Sequence, residues 1–143
     1  MPSNYLTPDP IQGTVDLDDK FITDSWLVDQ FVGGTLFTCG YNISGQLGNE
    51  TRVNYSSPIQ IGSLTNWKQV ATAYYATAGI KNDGTLWSWG DNNYGQLGNG
   101  TRVNYSSPIQ IGSLTDWKSI TCTFNSCSAI KTNGTLWSWG YNY

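Results

Sequence analysis

The heptapeptide Gly84-Thr85-Leu86-Trp87-Ser88-Trp89-Gly90 returns unchanged fifty residues later, at 134–140. Fifty residues earlier it stands in altered form as Gly34-Thr35-Leu36-Phe37-Thr38-Cys39-Gly40. Between these stretches the register holds, and residues 51–65 and 101–115 are identical at every position. A chain that copies itself at a fixed period of this length folds as stacked supersecondary units, because no single unit buries its apolar face alone. Periodicity therefore constrains this fold more than any individual residue does.

One period divides into four short strands. Pro58-Ile59-Gln60-Ile61 alternates behind a proline, as an edge-type strand does. Residues 67–73 and 76–81 follow, and Asn82-Asp83-Gly84 is a hairpin turn leading into 85–89. The next period carries Thr132-Asn133-Gly134 at the same turn. Alternation along 85–89 puts Thr85, Trp87 and Trp89 on one face and Leu86 and Ser88 on the other. With 7 Trp and 9 Tyr but only 12% charged residues, both faces need cover, which stacked sheets supply. The expected fold is all-β: four-stranded antiparallel blades of a β-propeller, with units 34–83 and 84–133, a partial unit 134–143 and a leader 1–33. Leu86, Trp87 and Trp89, with Leu136, Trp137 and Trp139, are the expected blade-packing residues.

The leader differs in kind. Residues 1–15 hold Pro2, Pro8, Pro10 and Gly13 and read as extended. Residues 16–31 carry Asp16, Asp18, Asp19, Asp24 and Asp29 among Leu17, Phe21, Leu27, Val28 and Phe31. Helical spacing and acids at the first turn predict a short amphipathic helix, with strands at 20–23 and 26–28 as the alternative. Phe21 and Leu27 stand where a calcium-binding EF-hand needs Gly and Glu, which excludes that loop. Leu17, Phe21, Trp26, Leu27 and Phe31 are the candidate anchor to a partner. No secretory signal precedes them, and no apolar run is long enough to span a membrane.

Chemistry is hard to place on this chain. It has no His, which removes the commonest general base and metal ligand. No phosphate-binding glycine pattern is present, since Gly95-Gln96-Leu97-Gly98 reads as a blade turn. The acids within the repeats are sparse and change between units, Glu50 becoming Gly100 and Asp83 becoming Asn133. No catalytic, cofactor or metal site is expected. A net charge of -3 gives no footprint for nucleic acid. The odd Cys count does not point to a disulfide framework, so Cys39, Cys122 and Cys127 are read as packed thiols. Arg52 and Arg102, at equivalent positions, are read as bonding backbone carbonyls or a neighbouring blade. Tyr41, Tyr55, Tyr94 and Tyr105 recur near turns, where they either pack between blades or form a platform for a sugar or a protein. Tyr55, Tyr94 and Tyr105 are the candidate ligand contacts.

Leu86-Trp87-Ser88-Trp89-Gly90, followed by Asn92, Gly95-Gln96-Leu97-Gly98, resembles the signature of RCC1-type propeller repeats, and the resemblance covers residues 34–143. It implies a ring of blades, seven in most of the family, acting through protein contacts. The Gly-x-x-His-Ser segment usual in the family is here Ala73-Tyr74-Tyr75-Ala76-Thr77 and Thr123-Phe124-Asn125-Ser126-Cys127. With that segment altered and no inter-blade insertion, nucleotide exchange on a small GTPase is not carried over. The leader from Asp16 to Phe31 resembles those before such repeats in structural proteins of marine tailed phages. That resemblance implies a non-enzymatic virion component, anchored to a capsid or tail protein and displaying its blades for adhesion to a host protein or glycan. The alternative is a cytoplasmic RCC1-like regulator that binds a small GTPase or another protein. Two complete periods do not close a ring. The expectation is a longer parent chain, an oligomer, or packing against a large partner.

Overall fold

A computed structural model describes residues 34–142. The leader expectations, both the helix or strands of 16–31 and the anchor side chains Leu17, Phe21, Trp26, Leu27 and Phe31, lie outside the described residues. Among the described residues nine strands run in order: β1 Phe37–Gly40, β2 Tyr55–Gln60, β3 Trp67–Thr72, β4 Ala76–Lys81, β5 Leu86–Gly90, β6 Tyr105–Gln110, β7 Trp117–Thr123, β8 Ser126–Lys131 and β9 Leu136–Gly140. They form three antiparallel sheets, β1-β2, β3-β4-β5-β6 and β7-β8-β9. The four-stranded sheet is a propeller blade. It straddles the sequence period: β3 and β4 lie before Gly84, β5 and β6 after it. Each blade thus borrows strands from two periods, and consecutive units are stitched together by backbone hydrogen bonds.

Alternation in β5 sends its two faces to different neighbours. Leu86 packs forward against Trp117, Ile120 and Ala129 of the following sheet. Trp89 packs backward with Leu36, Ile61 and Trp67. Both side chains are buried, each contributing about 2–3 kcal/mol relative to exposure. The sheets are therefore stacked face to face.

The turn motif explains how a Trp face meets its neighbour. Asn92 is buried at the centre of the loop after β5. Its amide donates to Asn99 Oδ1 and the Thr101 carbonyl, both at 3.0 Å, while its Oδ1 accepts from Leu97 N–H at 3.0 Å. Asn42 organises the preceding loop in the same way. The loop then offers a glycine and a carbonyl to the next blade. Trp89 N–H donates to the Gln46 carbonyl at 2.9 Å, and Trp139 N–H to that of Gln96 at 3.0 Å. A Cβ on Gly48 would lie 2.6 Å from Trp89 Nε1, so only glycine permits that approach.

At the opposite end of the blade, Lys81 is buried with its Nζ 3.5 Å from the Trp87 ring centre and 5.0 Å from that of Trp67. Burial pulls the Lys81 pKa below its usual value, opposed in part by the charge of Asp83, and the two indole rings add cation–π attraction for the ammonium. Lys131 repeats it between Trp117 and Trp137 and adds an ion pair with Asp116 at 3.5 Å.

Two cysteine expectations are corrected. Cys122 and Cys127 are not separate thiols but a disulfide across the β7–β8 hairpin, where they stand directly opposite. In the previous blade those positions are Thr72 and Thr77, also directly opposite. Cys39 is exposed rather than packed. Trp89 and Trp139, its equivalents, each dock on a preceding turn, and no such turn faces Cys39 among the described residues.

Candidate interaction surface

The ends of the blades bring separate turns together on one rim. The tight β3–β4 turn, closed by Ala73 N–H to the Ala76 carbonyl at 2.7 Å, projects Tyr74 and Tyr75. The β7–β8 turn projects Phe124 and Asn125. Tyr74 N–H donates to the Phe124 carbonyl at 3.2 Å, tying the two turns together. Asp91 N–H donates to the Tyr75 carbonyl at 2.7 Å and Tyr141 N–H to that of Asn125 at 2.9 Å, which sets the loops leaving β5 and β9 beside the same tips.

The result is a continuous aromatic strip. Ring centres run from Tyr41 to Tyr75 at 6.0 Å, Tyr75 to Tyr74 at 4.3 Å and Tyr74 to Phe124 at 5.0 Å. Tyr41, Tyr74 and Phe124 remain 51%, 59% and 66% exposed, although aromatic rings of this size are normally where burial energy is found. A hydrogen bond with Tyr74 is the main cause that raises the Tyr75 pKa, followed by burial. Tyr94 and Tyr141 form a further edge-to-face pair at 4.8 Å.

The sequence-predicted contacts divide. Tyr94 lies on this rim in its pair with Tyr141. Tyr55 and Tyr105 open β2 and β6, half-buried and each opposite a glycine, Gly40 and Gly90. Sequence reasoning missed Tyr74, Tyr75 and Phe124 as site residues. Their signal was present, because 51–65 and 101–115 are identical while the turn changes from Ala-Tyr-Tyr-Ala to Thr-Phe-Asn-Ser and keeps an aromatic. Among the blade residues, Leu86 and Trp89 are buried and Trp87 is half-buried against Lys81. Trp139 is half-buried near Gly98, whereas Leu136 and Trp137 are exposed. Arg52 and Arg102 are exposed, and neither bonds a backbone carbonyl among the described residues.

Titratable chemistry near the rim is committed to structure. Asp91 is buried, with Oδ1 accepting from Asn93 at 2.6 Å and Asn104 at 3.1 Å and Oδ2 accepting from Gln96 at 2.7 Å. No group of three or more potential metal ligands occurs among the described residues. What the rim offers is aromatic surface held by rigid hairpins, which suits recognition of another macromolecule.

The comparisons agree with this architecture. The regulator of chromosome condensation (RCC1) repeat matches residues 33–80 and 83–130, and a second profile of that repeat matches 67–96. Among curated proteins no match is found. Among solved structures, human WBSCR16 is 26% identical with a TM-score of 0.69, the match covering 77% of this chain and 29% of that one. Yeast RCC1 (Prp20), in a structure bound to Kap60, is 21% identical with a TM-score of 0.64 over 76% of this chain and 26% of that one. Prp20p from Saccharomyces cerevisiae, in a structure whose description includes binding to Gsp1p and histones, is 24% identical with a TM-score of 0.59 over 77% and 26%. This chain thus spans less than a third of the length of each of these structures. With the repeat, the blade topology and these likenesses in agreement, the chain belongs to the RCC1 repeat family.

Proposed function

We propose that this chain is a non-enzymatic protein-interaction module whose docking surface is the strip Tyr41, Tyr75, Tyr74 and Phe124. The observation that carries the reading is the contrast within one chain. Residues 51–65 and 101–115 are copied at every position, while the turn tip changes from Tyr74-Tyr75 to Phe124-Asn125 and keeps an exposed aromatic, Tyr74 in one and Phe124 in the other. Aromatic side chains on rigid hairpins supply contact area at low entropic cost, as interface anchors do. The yeast structures support the reading by likeness of fold, because one is bound to Kap60 and the other is described with Gsp1p and histones.

The test is affinity capture from the source organism with wild type and the Tyr74→Ser/Phe124→Ser double variant. The captured protein is then purified and its binding remeasured. Loss of at least about tenfold in affinity, the scale of one or two interface anchors, with an unchanged Tm supports the rim. Equal binding by both forms overturns it.

Within this reading the chain is a virion component, anchored by residues 1–33 and displaying its blades outward. What supports this is the acidic, apolar leader with Leu17, Phe21, Trp26, Leu27 and Phe31 ahead of near-identical display units. Absence of the protein from purified particles, or particle binding that survives deletion of the leader, overturns it in favour of a cellular RCC1-like regulator.

A further inference from the structure

We propose that the Cys122–Cys127 disulfide is a reversible redox site, opened in the folded chain by a dithiol that attacks the Cys122 sulfur, and that its state sets how firmly the turn 123–126 is held. The two cysteines stand directly opposite on β7 and β8 and bracket that turn. Their surroundings differ. Cys127 is 2% exposed, in the apolar layer with Ala78, Ile80 and Ala129, whereas Cys122 lies half-buried at the margin of that layer. An incoming thiolate therefore has one sulfur within reach, and access decides which sulfur is attacked.

The fold already provides for the reduced state. In the preceding blade the equivalent residues, Thr72 and Thr77, stand opposite each other without a covalent link, and the β3–β4 hairpin keeps the same register as β7–β8. Thr77 does more. Its hydroxyl donates to the Gln46 carbonyl at 2.8 Å, the carbonyl that also accepts from Trp89 N–H at 2.9 Å. One period on, the Gln96 carbonyl accepts from Trp139 N–H at 3.0 Å, while Cys127, in the place of Thr77, has no S–H to offer as long as the disulfide stands. Reduction returns a donor to that position, a weaker one than the hydroxyl, and no atom leaves the layer. Opening the crosslink thus creates neither a cavity nor a stranded polar group.

The exchange runs in two steps. A thiolate of the dithiol bonds to the Cys122 sulfur as the Cys122–Cys127 bond breaks, and Cys127 leaves as a thiolate that takes a proton from water. The second thiol of the reagent, as a thiolate, then displaces Cys122. The dithiol ends as its own disulfide, two electrons having passed to the protein. The consequence lies at the tip between the cysteines. The Phe124 carbonyl accepts from Tyr74 N–H at 3.2 Å and the Asn125 carbonyl from Tyr141 N–H at 2.9 Å. Without the crosslink beneath it the turn opens locally more often, and these two contacts loosen with it. The redox state so reaches the contact between Tyr74 and Phe124, whether or not their rings dock a partner.

The test uses the folded, unsubstituted chain with Cys39 first blocked by iodoacetamide. Dithiothreitol is added in native buffer and new thiols are trapped with N-ethylmaleimide for mass spectrometry. Labelling of Cys122 and Cys127 should rise in proportion to dithiothreitol, and oxidised dithiothreitol should reverse it. A rate that saturates at the rate of global unfolding overturns the proposal, since the bond is then a structural crosslink. Brief exposure to glutathione, a monothiol, should leave its adduct on Cys122; an adduct on Cys127 overturns the assigned point of attack. Amide hydrogen exchange should speed up by about tenfold at Tyr74 and residues 123–126 on reduction, with β4 and β5 unchanged. Exchange that is unaltered at the turn, or raised throughout the chain, overturns the local effect.

Discussion

The side chain of Gln69 acts as a strand neighbour for Ile120 in the adjacent blade. Its Nε2 donates to the Ile120 carbonyl at 2.9 Å and its Oε1 accepts from Ile120 N–H at 3.0 Å. The amide thereby satisfies both backbone groups of a buried residue across the junction of two separate sheets, one holding β3 and the other β7. Gln69→Ala should cost about 1–3 kcal/mol, because both groups lose their partner. Gln69→Glu keeps the acceptor but loses the donor at neutral pH, so it should not restore wild-type stability. Chemical denaturation of the three proteins checks the order.

Glu50 has φ 66°, in the left-handed region, where its repeat equivalent Gly100 has φ 75°. A side chain there costs about 1–2 kcal/mol that glycine avoids. Glu50→Gly should therefore stabilise the chain by about 1 kcal/mol, and Gly100→Glu should destabilise it by a similar amount. Opposite shifts in Tm test both.

Gly48 combines φ 82° with the close approach of the Trp89 indole. Gly48→Ala should cost about 3 kcal/mol, the sum of backbone strain and overpacking, and should change Trp fluorescence as Trp89 leaves Gln46. Gly62 has φ 65° but a Cβ there would meet nothing within 4 Å. Gly62→Ala should show only the smaller backbone penalty.

Asp83 and Asn133 hold the same turn in two repeats. Asp83 Oδ1 accepts from Thr85 N–H at 3.0 Å and from its hydroxyl at 2.6 Å, and Asn133 Oδ1 does so for Thr135 at 3.0 and 2.7 Å. The bonds from Thr85, led by its side chain, pull the Asp83 pKa below its ordinary value. A carboxylate with a depressed folded-state pKa contributes stability above its unfolded pKa, and that contribution is lost as pH falls through the folded value. Asp83→Asn should keep the turn and flatten this part of the acid limb. Tm measured from neutral pH down to about 2, below the ordinary carboxylate range, checks it.

Thiol titration under denaturing, non-reducing conditions should find Cys39 alone, with Cys122 and Cys127 appearing only after reduction. Closing so short a loop contributes about 2 kcal/mol on the chain-entropy account. Reduction should lower Tm accordingly, while a Cys122→Thr/Cys127→Thr variant, which restores the Thr pair of the preceding blade, should not respond to reductant.

The strands were legible because their signals are local. Alternation at 85–89 and the turn at Asn82-Asp83-Gly84 produced β4, β5 and their hairpin where expected, to within a residue or so at the ends. The disulfide was hidden by counting cysteines, although the equivalent threonines lie opposite each other across the corresponding hairpin of the preceding blade. The aromatic strip was hidden because Tyr41, Tyr74 and Phe124 come from three separated turns.

Sequence alone determined the repeat, the all-β class, the strand faces and the family, since period and alternation act over a few residues and are copied with each unit. Tertiary structure decided which strands share a sheet, placing β5 with β6 across the loop 91–104. It also decided which turns meet on the rim. Those outcomes depend on how one unit's carbonyls, glycines and indoles meet those of the next, as where the Trp89 N–H finds the Gln46 carbonyl of the preceding turn.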